Sequence, residues 1–223
     1  MPDPKGNLLP VYVIVDESYS MSDHADQLND GVVSLFEALR SEPMTAAKVR
    51  LCILGFSDDV TVRLGLSDVR NISTLPNIRI RTGTNYHAVF SDLATRIPSN
   101  VASLKANGYL VHRPTVFFMS DGQPNEDVGN EDWMAAYRRL TDRAQTTAAP
   151  NIIAFGMGEV WPRTILDVAT RQEFAFIAPE TSDVGASIAK FFDALTASVI
   201  ESGRSMELFI EKPEGFRMAI DLV

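Results

Sequence analysis

The chain has 223 residues, 45% of them hydrophobic and 22% charged, with a formal charge of −9 and a pI near 4.8. This is ordinary globular composition with apolar mass for one core. Its acidity argues against a nucleic-acid backbone or an anionic membrane surface as partner and favours a cation or a basic protein surface. The single cysteine, Cys52, excludes an intramolecular disulfide framework and a cysteine-rich zinc site.

In chain order, the opening MPDPKGNLLP has one lysine and no apolar core of signal-peptide length. No stretch approaches the roughly 18 apolar residues of a membrane span, so a cytoplasmic location is expected. Pro10–Val15 reads as the first strand. Asp26–Arg40 reads as a helix, because Leu28, Val32, Leu35, Phe36 and Leu39 draw one apolar stripe. Val49–Phe56 is a second strand, in which Cys52 is a small buried hydrophobe. Asp59–Leu64 follows after the turn-like Ser57-Asp58, and so short a connection implies an antiparallel hairpin at a sheet edge. Tyr86–Ile97 is helical, with Val89, Phe90, Leu93 and Ile97 on one face and Pro98 as its stop. Pro114–Met119, Asn151–Phe155 and Phe174–Ile177 complete the strands, while Glu131–Thr147 and Ser182–Ser202 read as helices.

Continuous apolar strands alternating with amphipathic helices predict an α/β fold. The expected architecture is doubly wound (Rossmann-like), with a mainly parallel six-stranded sheet, one antiparallel edge strand and helices on both faces. With no repeat or linker, residues 1–223 are expected to form one domain. Its core spans about 8–202, and an extension, 203–223, forms a short strand pair around Pro213-Glu214-Gly215.

The first strand ends abruptly in VDESYSMSD, presenting Asp16, Ser18 and Ser20 at alternate positions. Ligands of open parallel sheets bind where strands end at the carboxyl edge, and Asp121 occupies that place after PTVFFMS. Two carboxylates at one edge repel unless a cation lies between them. Asp16, Ser18 and Ser20 are hard oxygen donors, a set suited to Mg²⁺ or Mn²⁺ with water completing the shell. A further hydroxyl, Thr84, comes from the glycine-bearing RTGTN turn. The competing reading of Asp16 and Ser18 is helix capping, although Ser22 or Asp23 is available to cap the following helix. His24, His87 and His112 are too scattered for a zinc site.

Three segments carry a family resemblance: DESYS at Asp16–Ser20, TGT at Thr82–Thr84 and SDGQP at Ser120–Pro124. In this order they resemble the metal-ion-dependent adhesion site of von Willebrand factor A (VWA) domains, over roughly residues 8 to 202. LPVYVIVDESYSM, the helix Leu28–Leu39 and FMSDGQPNED look most like bacterial tellurite-resistance-associated VWA proteins of the TerY type. The resemblance implies a docking point and not a hydrolytic centre, with metal ligands Asp16, Ser18, Ser20, Thr84 and Asp121 and with Mg²⁺ (or Mn²⁺ or Ca²⁺) as the ion. Thr82-Gly83 stands where relatives usually have two glycines, and the zinc-binding extension of some TerY-type relatives has no cysteines here.

With Asp16 bound directly, neutral hydroxyl donors and Asp121 acting through water, the ion keeps positive charge and an open position for a Glu or Asp brought by a protein partner. Glu17, Tyr19, Asn85, His87, Gln123 and Trp161 are candidate partner-binding rim residues. Acid-rich 125–132 reads as a solvated loop able to select basic residues around that carboxylate. TerY-type resemblance implies stress or phosphorylation-linked signalling with kinase- or phosphatase-like partners, while the acidic charge leads us to expect neither nucleic acid nor membrane as partner. The rival functions are a Mg²⁺-dependent phosphoryl-transfer enzyme and a metal-free scaffold. Against the enzyme, position 18 is Ser where a haloacid-dehalogenase-type phosphatase carries its second Asp, and no G-x-x-x-x-G-K-[ST] loop exists.

Overall fold

Ten consecutive residues, Asn7–Asp16, form β1, and all but the first are buried. Such a strand needs neighbours on both edges and cover on both faces. The computed structural model, which describes residues 3–124 and 132–223, supplies them. β1 pairs in parallel with β2 (Val49–Phe56) on one side and with β5 (Thr115–Ser120) on the other. β3 (Val60–Asp68) returns antiparallel against β2 and forms one edge of the sheet. Beyond β5 lie β6 (Asn151–Gly156) and β7 (Ala175–Ile177), both parallel. Among the described residues the order is β3-β2-β1-β5-β6-β7-β8, where β8 is Arg217–Met218, with the two-residue β4 (Leu110–Val111) pairing the start of β1.

The chain therefore winds outward from β1 in one direction and then crosses to β5 on the other side. The crevice outside the carboxyl ends of β1 and β5 is the topological switch point. Helices α1 (Ala25–Ser41), α2 (Pro43–Lys48) and α6 (Val184–Ser205) pack together, as do α3 (Tyr86–Ala106) and α4 (Trp133–Thr141); α5 (Pro162–Val168) packs on β6 and β7. The predicted α1 stripe is buried at all five positions.

The structure differs from the sequence reading in four places. Among the described residues the sheet has eight strands and not six, because β4 and β8 (Arg217–Met218) are two-residue pairings too short to leave a hydrophobic pattern. α3 continues through Pro98 to Ala106, because the buried stripe runs on from Ile97 to Val101 and that burial outweighs one lost backbone hydrogen bond. α4 is shorter than expected, ending at Thr141; most of the acid-rich stretch, residues 125–131, lies outside the described residues.

The tail forms no strand pair. Ser202 Oγ accepts from Phe209 N (2.9 Å) and donates to Phe209 O (3.1 Å), and Ser198 Oγ accepts from Glu211 N (2.8 Å). The segment before the Pro213-Glu214-Gly215 turn thus bonds to serines of α6, and only Arg217–Met218 after it joins the sheet, antiparallel to β7. No helix among the described residues is long and apolar enough to cross a membrane.

Candidate metal centre

β1 ends at Asp16, whose Oδ1 accepts from the backbone N of Ser18 (2.9 Å). Its Oδ2 accepts from Ser120 Oγ, at 2.5 Å, across the gap to the end of β5. Ser18 is still extended (φ −65, ψ 163), but Tyr19–His24 turns into a 3₁₀ helix, so Ser20 reaches the site from a turn and not from extended chain. The hydroxyls of Ser18 and Ser20 share a hydrogen bond of 3.0 Å, and Ser20 Oγ donates to Asp121 Oδ1 (2.8 Å). Thr84 lines the same cleft, its Oγ1 3.7 Å from where a β-carbon on Gly122 would stand. The loop after β6 closes the floor: Glu159 N donates to Asp121 O (3.1 Å) across Gly158, which has φ +63. A side chain at Gly158 would carry left-handed strain and stand 3.3 Å from Asp121 O.

Helix capping does not account for these side chains. Ser18 precedes the 3₁₀ turn without making a side-chain cap bond, and α1 begins after His24 with none from Ser22 or Asp23.

The electrostatics are unusual. Asp16 is fully buried, and burial first, then the charge of Asp121, pushes its carboxyl up to about 7; the bonds from Ser120 and Ser18 pull the other way. Asp121 is also raised, chiefly by burial, and opposed by the Ser20 hydrogen bond. Among the described residues no Lys or Arg forms an ion pair with either carboxylate. Two buried, mutually repelling carboxylates with three hydroxyls beside them fit a hard divalent cation. In such a centre Asp16, Ser18, Ser20, Thr84 and Asp121 would hold the ion, and the ion would supply Lewis-acid attraction for an anionic oxygen.

The rim residues divide. Tyr19 (73% exposed) and Trp161 (67% exposed) stand at a cleft of about 790 Å³, which Gln123 also lines. Gln123 Oε1 accepts from Thr164 Oγ1 at 2.6 Å. Glu17 is not at the rim: it is fully buried, its carboxylate held by Arg63 and Arg81. Asn85 is buried as the N-cap of α3, accepting from Ala88 N (2.9 Å) and donating to Asp58 O (3.1 Å). His87 lies in the first turn of α3 beside Ser91 Oγ (3.3 Å) and outside the cleft lining.

Sequence reasoning missed two parts of the site. Ser120, read only as part of SDG, bridges Asp16 and the Asp121 loop, since its Oγ also contacts Gly122 O (3.1 Å). The β2–β3 turn, read as a plain hairpin, clamps the Thr84 loop. Thr82 N donates to Ser57 Oγ (3.1 Å), Asn85 N donates to Ser57 O (2.7 Å), and Thr82 Oγ1 donates to Asp58. The Ser-Asp-Asp composition of the turn was the available signal.

No protein-family model and no curated protein matches this chain. Solved structures do. The zinc-occupied MIDAS form of proximal thread matrix protein 1 from the mussel byssus aligns with a TM-score of 0.61 at 13% identity, covering 89% of this chain and 49% of that one. The pilus adhesin SpaC from Lactobacillus rhamnosus GG in its open conformation gives 0.65 at 11% identity, over 90% of this chain and 31% of that one. The vWF domain of the type V pili tip protein Mfa5 from Porphyromonas gingivalis gives 0.58 at 10% identity, over 86% of this chain and 95% of that one. This chain thus spans about half of the mussel protein and a third of the adhesin. At these identities the likeness is one of architecture, and the α/β fold of this chain is that of von Willebrand factor A domains.

Proposed function

We propose that this chain is a non-enzymatic, divalent-metal-dependent protein-binding module. Asp16, Ser18, Ser20, Thr84 and Asp121 hold the ion, and a Glu or Asp of a protein partner completes its shell. The observation that carries this reading is the pair of buried, unpaired carboxylates linked through serine hydroxyls at the switch point of the sheet. A mussel byssus neighbour of the same fold is named for its zinc-occupied MIDAS motif, and the neighbour SpaC is named a pilus adhesin, which favours docking over catalysis. The cleft has no lysine or arginine among the described residues that line it, so a phosphoryl group would meet carboxylates without a compensating side chain. The ion is Mg²⁺ on donor hardness, with Mn²⁺ or Ca²⁺ as substitutes. The finer assignment, to a tellurite-resistance or phosphorylation-linked setting with a kinase- or phosphatase-like partner, rests on the TerY-type resemblance of LPVYVIVDESYSM, the helix Leu28–Leu39 and FMSDGQPNED, and a cytoplasmic location on the lack of a long apolar segment.

Isothermal titration with Mn²⁺ and Mg²⁺ tests the reading. One ion per chain is expected, with binding abolished in Asp16→Asn and in Asp121→Ala. Sustained Mg²⁺-dependent phosphatase turnover lost in Asp16→Asn would defeat the docking reading in favour of an enzyme.

A further inference from the structure

Directly behind the carboxylates lies a second charged assembly that the docking reading does not use. Glu17 accepts two hydrogen bonds from Arg63 of β3, Nε to Oε1 at 2.7 Å and Nη2 to Oε2 at 2.8 Å. It accepts a third from Arg81 Nε to Oε2 at 3.1 Å. A β-carbon on Gly55 would stand 1.9 Å from Glu17 Oε1, so β2 leaves this space for the carboxylate alone. Arg81 opens the segment that carries Thr84, and its guanidinium also reaches Asp59, through the side chain and through the carbonyl at 2.8 Å. The backbones are stitched at the same place: Arg81 N donates to Glu17 O (2.6 Å) and Tyr19 N donates to Thr82 O (3.2 Å). Ser18 lies between those two stitches and Thr84 two residues beyond them.

We propose that Glu17 is a positioning residue: through Arg81 it fixes the Thr84 loop against the Asp16–Ser20 loop and thereby sets the divalent-ion affinity of the cleft. The inference rests on the metal reading above and names what tunes it. Arg63 serves as its internal control. It makes the stronger, two-point contact with Glu17 but belongs to β3, which contributes no oxygen to the site. A purely structural triad would lower stability on loss of either arginine and leave the affinity of the folded protein unchanged. A purely electrostatic one would raise cation affinity equally on loss of either positive charge. Positioning predicts neither result.

The test is Mn²⁺ titration by calorimetry of the full chain, with the unfolding midpoint of each variant measured beside it. Groups that orient metal ligands typically contribute about 10–100-fold to affinity, so Arg81→Gln should weaken Mn²⁺ binding by that factor although it removes a positive charge. Arg63→Gln should stay within about threefold of the native protein or bind more tightly. Arg81→Lys, which keeps the charge and protects folding, should still weaken binding because a point ammonium cannot hold both Glu17 and Asp59. Native-like affinity in folded Arg81→Lys or Arg81→Gln overturns the positioning role and leaves the metal reading intact. Absence of Mn²⁺ uptake by the native protein overturns both.

Discussion

Asp16 and Glu17 are neighbours in sequence, and both carboxylates are completely buried, yet they meet opposite surroundings. Successive side chains at the end of a strand point to opposite faces. Asp16 turns into the crevice between β1 and β5, where it faces Ser120 and the charge of Asp121. Glu17 turns toward the β2–β3 edge and is neutralised by two arginines. One carboxylate is satisfied within the fold, and the other is left with a deficit that something outside the polypeptide can fill. Burial alone therefore does not mark a functional group; burial without a counter-charge does.

The largest effect expected from this contrast is on stability. Glu17→Ala should cost about 3–5 kcal/mol in denaturant unfolding, because it leaves the mostly buried Arg63 guanidinium without its counter-charge and Arg81 with Asp59 alone. Asp16→Asn, which keeps the shape and the acceptor for Ser18 N while its amide donates to Ser120 Oγ in place of accepting from it, should instead stabilise the metal-free protein by about 1–3 kcal/mol at pH 8. Equal destabilisation by both would erase the distinction between them.

An intermediate effect concerns pH. The folded Asp16 carboxyl, at about 7, lies above its unfolded value near 3.8, so the folded state holds the proton more tightly. Stability of the metal-free protein should then be greatest below about pH 4 as far as this group is concerned, and should fall as pH rises toward 7. A divalent ion reverses the sign by replacing the proton. At a hundredfold excess over its dissociation constant, Mn²⁺ should raise the melting temperature by about 5–10 °C at pH 8. The same Mn²⁺ concentration should have little effect at pH 5, as thermal scans across pH in Mn²⁺ and in EDTA will show. The smallest change is expected from Ser120→Ala. It removes a donor to ionised Asp16, so Mn²⁺ binding should weaken a few-fold and its pH midpoint move upward, with about 1 kcal/mol lost from stability.

Much of this was legible beforehand. The β2 boundaries, Val49–Phe56, coincide with the sequence reading, because from Leu51 onward every residue is apolar and buried and only Arg50, near the strand's start, carries charge, paired with Asp68. Asp16, Ser18, Ser20, Thr84 and Asp121 could be named as candidate oxygen donors because acids and hydroxyls stop strands abruptly where a sheet presents its carboxyl edge, and the fold brings all five to line or border one cleft. Glu17 was misread as rim because composition favours an exposed glutamate, and only the distant Arg63 and Arg81 make its burial tolerable. Pro98 was misread as a stop for a similar reason, since local chemistry favours termination and Val101, packed on the core, overrides it.

The sequence by itself determined the α/β layering, the order of the strands' apolar runs and the hard-oxygen character of the donors, since these follow from local period and side-chain type. Tertiary structure alone decided which carboxylate is neutralised and which is not, how the Ser57–Asp59 turn clamps the Thr84 loop, and where the tail adds its last strand. Each of these depends on groups that meet only after the chain has folded, across separations no local pattern records.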